Sequence, residues 1–139
     1  MIPFANLSSL ILTFCAASVA FAAAPSSFVY TMTNASTGNQ VLIYSRGADG
    51  SLLYQNAAST GGIGTGYQLG TQGSLISNGL YLFAVNPASN TITVLKGGEA
   101  LTVVSTVSSG GAKPVSLTYF EGYLYVLNAG TPNNITGFT

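Results

Sequence analysis

The chain has no histidine and no tryptophan, and only three basic and three acidic side chains among 139 residues. Soluble domains ordinarily carry about a quarter of their residues charged, so here Ser, Thr, Asn and Gly have to keep the surface wet. Without histidine there is no imidazole base, no Ser-His-Asp arrangement and no histidine metal ligand. The acids Asp49, Glu99 and Glu121 are scattered rather than paired as glycosidic chemistry requires. Arg46, Lys96 and Lys113 are too few to neutralise a phosphate backbone or an anionic bilayer, which excludes nucleic acid as a partner. The one cysteine, Cys15, falls in an apolar N-terminal block, so the remaining chain has no disulfide, thiolate nucleophile or cysteine metal ligand. No motif implies a cofactor.

That block, Leu7 to Phe21, ends in Ala20-Phe21-Ala22, a small-x-small cleavage pattern. Residues 1–22 are therefore expected to be a signal peptide and 23–139 the mature, secreted chain, with no membrane contact after cleavage. An uncleaved anchor is the alternative, disfavoured by a block near the lower length limit for spanning. A secreted domain without disulfides must be held by its packing.

What the sequence has in quantity is strand-like repetition. Tyr81-Leu-Phe-Ala-Val-Asn86 recurs 42 residues later as Tyr123-Leu-Tyr-Val-Leu-Asn128, with a weaker copy at Val29-Tyr-Thr-Met-Thr-Asn34. Asn78-Gly79, Asp49-Gly50 and Glu121-Gly122 punctuate the strands as tight turns. With the middle unit labelled a, b, c and d, the chain reads b-c-d over 28–60, a-b-c-d over 73–109 and a-b-c over 115–139. Continuous apolar b strands predict coverage on both faces. Alternation predicts Ile92 and Val94 inward with Thr91 and Thr93 outward, and Leu101, Val103 and Val107 inward in the strand that follows. The repeat length and strand pattern fit an all-β fold, an incomplete β-propeller of about two and a half four-stranded antiparallel blades.

Thr60-Gly-Gly, Leu80-Tyr-Leu-Phe-Ala-Val-Asn86, Ser109-Gly-Gly-Ala-Lys-Pro114 and Leu124-Tyr-Val-Leu-Asn128 resemble the seven-bladed lactonase-type propellers. These include the 6-phosphogluconolactonase-like proteins and the secreted fungal 3-carboxymuconate cyclases. The resemblance covers nearly all of 23–139 but lies in blade-building motifs. It implies cofactor-independent lactone chemistry for a complete relative, and no residue here matches a catalytic histidine or an arginine cluster. The chain holds fewer blades than that family, so truncation is expected, with self-association through open blade edges as the alternative. As it stands it is expected to be non-catalytic. Cycloisomerase or lactonase activity of a full-length parent or assembly is one rival, and a cell-wall or surface glycan- or protein-binding module is another.

Alternating strand direction sorts the loops onto two faces. Arg46, Asp49, Lys96, Glu99 and Glu121 fall on one of them, as solubilising turns. The other carries Lys113, Gln72 and Tyr67, the candidate binding set for a carboxylate, lactone or glycan ligand, with a solvated loop lysine as the bland alternative for Lys113. The sequons Asn34-Ala-Ser36 and Asn134-Ile-Thr136 lie on the same face as candidate glycosylation sites. Gly62-Ile-Gly-Thr-Gly66 resembles a phosphate loop only superficially, since Tyr67 breaks the pattern and no helix follows; a flexible connector is expected. Asn34, Asn86 and Asn128 are expected to cap the turns after them.

Overall fold

The computed structural model describes residues 27–139, so the expected signal peptide, its expected cleavage site and Cys15 lie outside the described residues. The described chain is all-β: ten strands in three antiparallel sheets, without a helix. The first sheet holds β1 (Ser27–Met32), β2 (Gln40–Arg46) and β3 (Leu52–Ser59) in the order β1-β2-β3. The second holds β4 (Leu75–Ser77), β5 (Tyr81–Asn86), β6 (Thr91–Lys96) and β7 (Thr102–Ser108), again in chain order. The third holds β8 (Pro114–Phe120), β9 (Tyr123–Asn128) and β10 (Asn134–Phe138). Every neighbour is reached by a hairpin, so each sheet is a meander.

The sheets stack through two apolar layers. Val41 of the first packs on Leu82, Ala84 and Leu95 of the second, joined by Tyr30 and Met32. Phe83, Val85 and Ile92, on the opposite face of the second sheet, pack on Leu117, Leu124 and Val126 of the third. The middle sheet is thus covered on both sides, which is why β5 is buried from Leu82 to Asn86 with no alternation. The closely similar β9 alternates between buried and exposed, because only one of its faces meets another sheet. Sequence identity sets the strand here, and neighbours set its burial.

Register ties the sheets together as copies. β5 pairs Asn86 with Thr91, and β9 pairs Asn128 with Asn134, so the two asparagines occupy the same corner. A β-bulge interrupts β2–β3 between Ile43 and Tyr44, and another interrupts β6–β7 between Val94 and Leu95, at the matching place. The first sheet corrects the expected alignment. Met32 pairs with Val41 as Val85 pairs with Ile92, and the Thr33 N–H bonds the Gln40 carbonyl, so Thr33 and not Asn34 stands where Asn86 does. Asn34 lies one residue on, in a left-handed turn conformation at φ 51°.

Two further expectations fail. Thr93 is fully buried rather than outward, because the face it shares with Leu95 meets the first sheet. Val103 and Val107 are exposed, since β7 is the outer edge of its sheet and no described strand lies beyond it.

Candidate functional site

The segment between β3 and β4 organises one end of the molecule. It leaves the first sheet at Thr60, crosses the second and finishes along β8 of the third. Asn39 N–H bonds the Gly62 carbonyl (2.9 Å), Ala88 N–H the Ile63 carbonyl (3.0 Å), and Leu117 N–H the Gly73 carbonyl (2.8 Å). Thr71 Oγ1 donates to the Val115 carbonyl and Ser116 Oγ to the Gln72 carbonyl. The segment expected to be a loose connector is instead fastened along most of its length. Its glycines permit that closeness. A Cβ on Gly62 collides with the Asn86 side chain and one on Gly64 with the Asn34 backbone.

Beneath this segment sits a buried polar cluster. Asn86 Oδ1 accepts from Asn39 Nδ2 (3.0 Å) and Thr60 Oγ1 (2.7 Å), while its Nδ2 donates to Thr91 Oγ1 (3.1 Å) and Thr93 Oγ1 (2.9 Å). Asn39, Thr60, Asn86 and Thr93 are all fully buried. Asn86 therefore joins two sheets and does not cap the turn after it. The partial copy around Asn128 bonds Ser109 and Thr136 through Nδ2 and leaves Oδ1 without a partner. Sequence reasoning missed Asn39 and Thr60. The repeated Thr60-Gly-Gly and Ser109-Gly-Gly were the available signal, since each second glycine abuts one of these asparagines.

The candidate site opens beside this cluster. A cleft of about 630 Å³ is lined by Met32–Asn34 from the end of β1, by residues 66–72 and by Ser74. It brings together three of the residues singled out in the sequence: Tyr67, Gln72 and Asn34. Asn34 is committed to structure: its Oδ1 accepts the Thr65 N–H (3.0 Å), and its Nδ2 donates to Thr65 Oγ1 and the Tyr67 carbonyl, both at 2.7 Å. That fork shapes the rim on which the exposed Tyr67 ring stands. Gln68 and Gln72 are exposed on the same rim. Among the described residues no charged side chain lines the cleft, and Tyr67 is its only ionisable group.

Lys113 is not part of it. The residue is exposed at φ 55°, its N–H bonds Asn90 Oδ1 (2.8 Å), and its carbonyl accepts the Ala129 N–H. Its backbone therefore bridges the β5–β6 turn and the β9–β10 loop. Asn134 is likewise outside the cleft, exposed at the start of β10, with Nδ2 bonded to the Gly110 carbonyl (3.1 Å) and Thr136 Oγ1 (3.2 Å). Arg46 and Glu99 line a separate groove formed by the first and second sheets. Among the described residues no group of three acids, cysteines or histidines gathers as a metal site, and no helix is long and apolar enough to cross a membrane.

The cleft can offer amide donors and acceptors, hydroxyls, backbone carbonyls and one aromatic face, all uncharged. Such a lining matches the paired donor and acceptor character of hydroxyl groups. No family model matches the chain, and no curated protein or solved structure matches it either.

Proposed function

We propose that the three sheets are consecutive blades of a β-propeller resembling the secreted 3-carboxymuconate cyclase-like proteins. On this reading the chain is a non-catalytic binding module whose cleft takes a neutral, hydroxyl-rich ligand such as a cell-surface or cell-wall oligosaccharide. The blade reading is supported by meanders stacked face on face, bulges at matching positions and the recurring Thr/Ser-Gly-Gly segment. The single observation that carries the binding reading is the uncharged lining of the cleft, with Tyr67 exposed beside Gln68 and Gln72. An aromatic face with amides around it recognises sugars by stacking and by hydrogen bonds that need no ion.

The test is calorimetric titration of the purified chain with neutral glucan, mannan and chitin oligosaccharides, with 3-carboxymuconate and simple lactones in parallel. Saturable binding of a neutral oligosaccharide is expected, weakened about tenfold by Tyr67→Ala, a loss of about 1.4 kcal/mol. Absence of oligosaccharide binding, or a preference for the carboxylates, rejects the reading. Turnover of either acid or lactone replaces it with the cycloisomerase or lactonase alternative.

A further inference from the structure

The two faces at the ends of the stack are copies of faces that are covered inside it. On the outer face of the third sheet, Tyr125, Leu127 and Ile135 occupy the positions that Phe83, Val85 and Ile92 hold in the second. The inner set is 8%, 0% and 1% exposed; the outer set is 45%, 41% and 69% exposed. Tyr123 extends the outer set, as Tyr81 does the inner. At the other end, Val29 and Tyr44 of the first sheet pair as Leu82 and Leu95 pair in the second. Leu82 and Leu95 are buried against the first sheet, whereas Val29 and its row-mate Tyr54 are exposed. Tyr44 and Tyr54 meet edge-to-face, with ring centroids 5.7 Å apart.

We propose that the third sheet of one copy stacks on the first sheet of a second copy, and that two copies close head to tail into a ring of six sheets. The occupant is a second copy because the chain carries both halves of one sheet-on-sheet contact and uses that contact twice internally. The two faces differ, so the contact is heterologous, and such contacts either close into rings or grow open filaments. Propeller rings contain roughly four to eight sheets. The three described sheets of each copy make two copies the number that fits, and this count rests on the blade reading proposed above. Tyr125, Leu127 and Ile135 on one face and Val29, Tyr44 and Tyr54 on the other are uncharged, so apolar burial drives the pairing. Faces rather than strand edges make the contact.

The experiment is sedimentation velocity on the purified chain across a roughly hundredfold dilution series, repeated for Tyr125→Glu and Tyr54→Glu. A dimer is expected for the unmodified chain, and a monomer for each variant with an unchanged far-ultraviolet circular dichroism spectrum. Ile135→Glu repeats the test on the third sheet if Tyr125→Glu does not fold, and Val29→Glu does so on the first. A unmodified chain that stays monomeric, a ladder of larger species, or a dimer that survives substitution on either face overturns the proposal. Oligosaccharide titration reads the cleft independently of mass, so a monomer that still binds sugar removes the ring and leaves the binding reading standing.

Discussion

Asn39 of the first sheet donates its amide to Asn86 Oδ1 of the second at 3.0 Å, and both side chains are wholly removed from solvent. The stack is therefore fastened by a polar pin as well as by apolar layers. An unpaired amide at this depth costs about 1–3 kcal/mol per orphaned group, so the pin holds only if every member stays bonded.

Asn86→Ala removes the acceptor for Asn39 and Thr60 and the donor to Thr91 and Thr93 at once. The expected loss is about 3 kcal/mol in urea unfolding. Asn128→Ala, whose Oδ1 has no partner to lose, is expected to cost about 1 kcal/mol. Equal losses at the two positions would show that the complete cluster contributes no more than its partial copy.

The strands were legible in the sequence because turn chemistry marks their ends. Asn78 Oδ1 accepts the Leu80 and Tyr81 N–H groups, and Asp49 Oδ1 accepts from Ser51, as residues of those types do. Burial was less legible. Thr93 reads as a surface residue in any alternating pattern, and only the sheet stacked on its face makes it internal. The one-residue offset in β1 was invisible because Thr33 and Asn34 are both small polar residues, and register is set by the partner strand. In the cleft, Tyr67 and Gln72 meet because the linking segment doubles back on Asn34, whereas Lys113, equally plausible in sequence, is carried away by its own backbone bonds.

Gly62→Ala is expected to destabilise the chain by about 2–3 kcal/mol, because the added methyl displaces Asn86 from its four partners. Gly70 provides the comparison. A Cβ there meets nothing within 4 Å, and only its φ of 67° opposes alanine, so Gly70→Ala is expected to cost about 1 kcal/mol. Paired denaturant curves check the difference. Similar costs would mean that backbone conformation, and not contact with Asn86, governs these glycines.

The two sequons should differ in occupancy in protein from a eukaryotic host. Attachment replaces one hydrogen on the asparagine Nδ2. At Asn34 both Nδ2 bonds are short, at 2.7 Å, and hold the rim of the cleft. At Asn134 they are longer, 3.1 and 3.2 Å, on an exposed side chain. Peptide mapping before and after glycosidase treatment is expected to find glycan chiefly at Asn134, with a fall in intact mass. Full occupancy at Asn34 would show that its hydrogen bonds form too late, or matter too little, to oppose modification.

Stability should hardly depend on pH through the neutral range, since the chain has no histidine. The exception is acidic. Hydrogen bonds from the Ser51 hydroxyl and then the Ser51 backbone N–H hold the Asp49 carboxyl below its ordinary value of 3.8. A carboxylate depressed in the folded state stabilises it above the unfolded value and loses that contribution as pH falls through the folded one. Thermal midpoints are therefore expected to be level from about pH 5 to pH 8 and to fall only below about pH 4. Asp49→Asn should flatten part of that acid limb and leave the plateau unchanged in shape. A midpoint that slopes between pH 5 and pH 8 would require a contribution from a group outside the described residues, such as the chain's α-amino group.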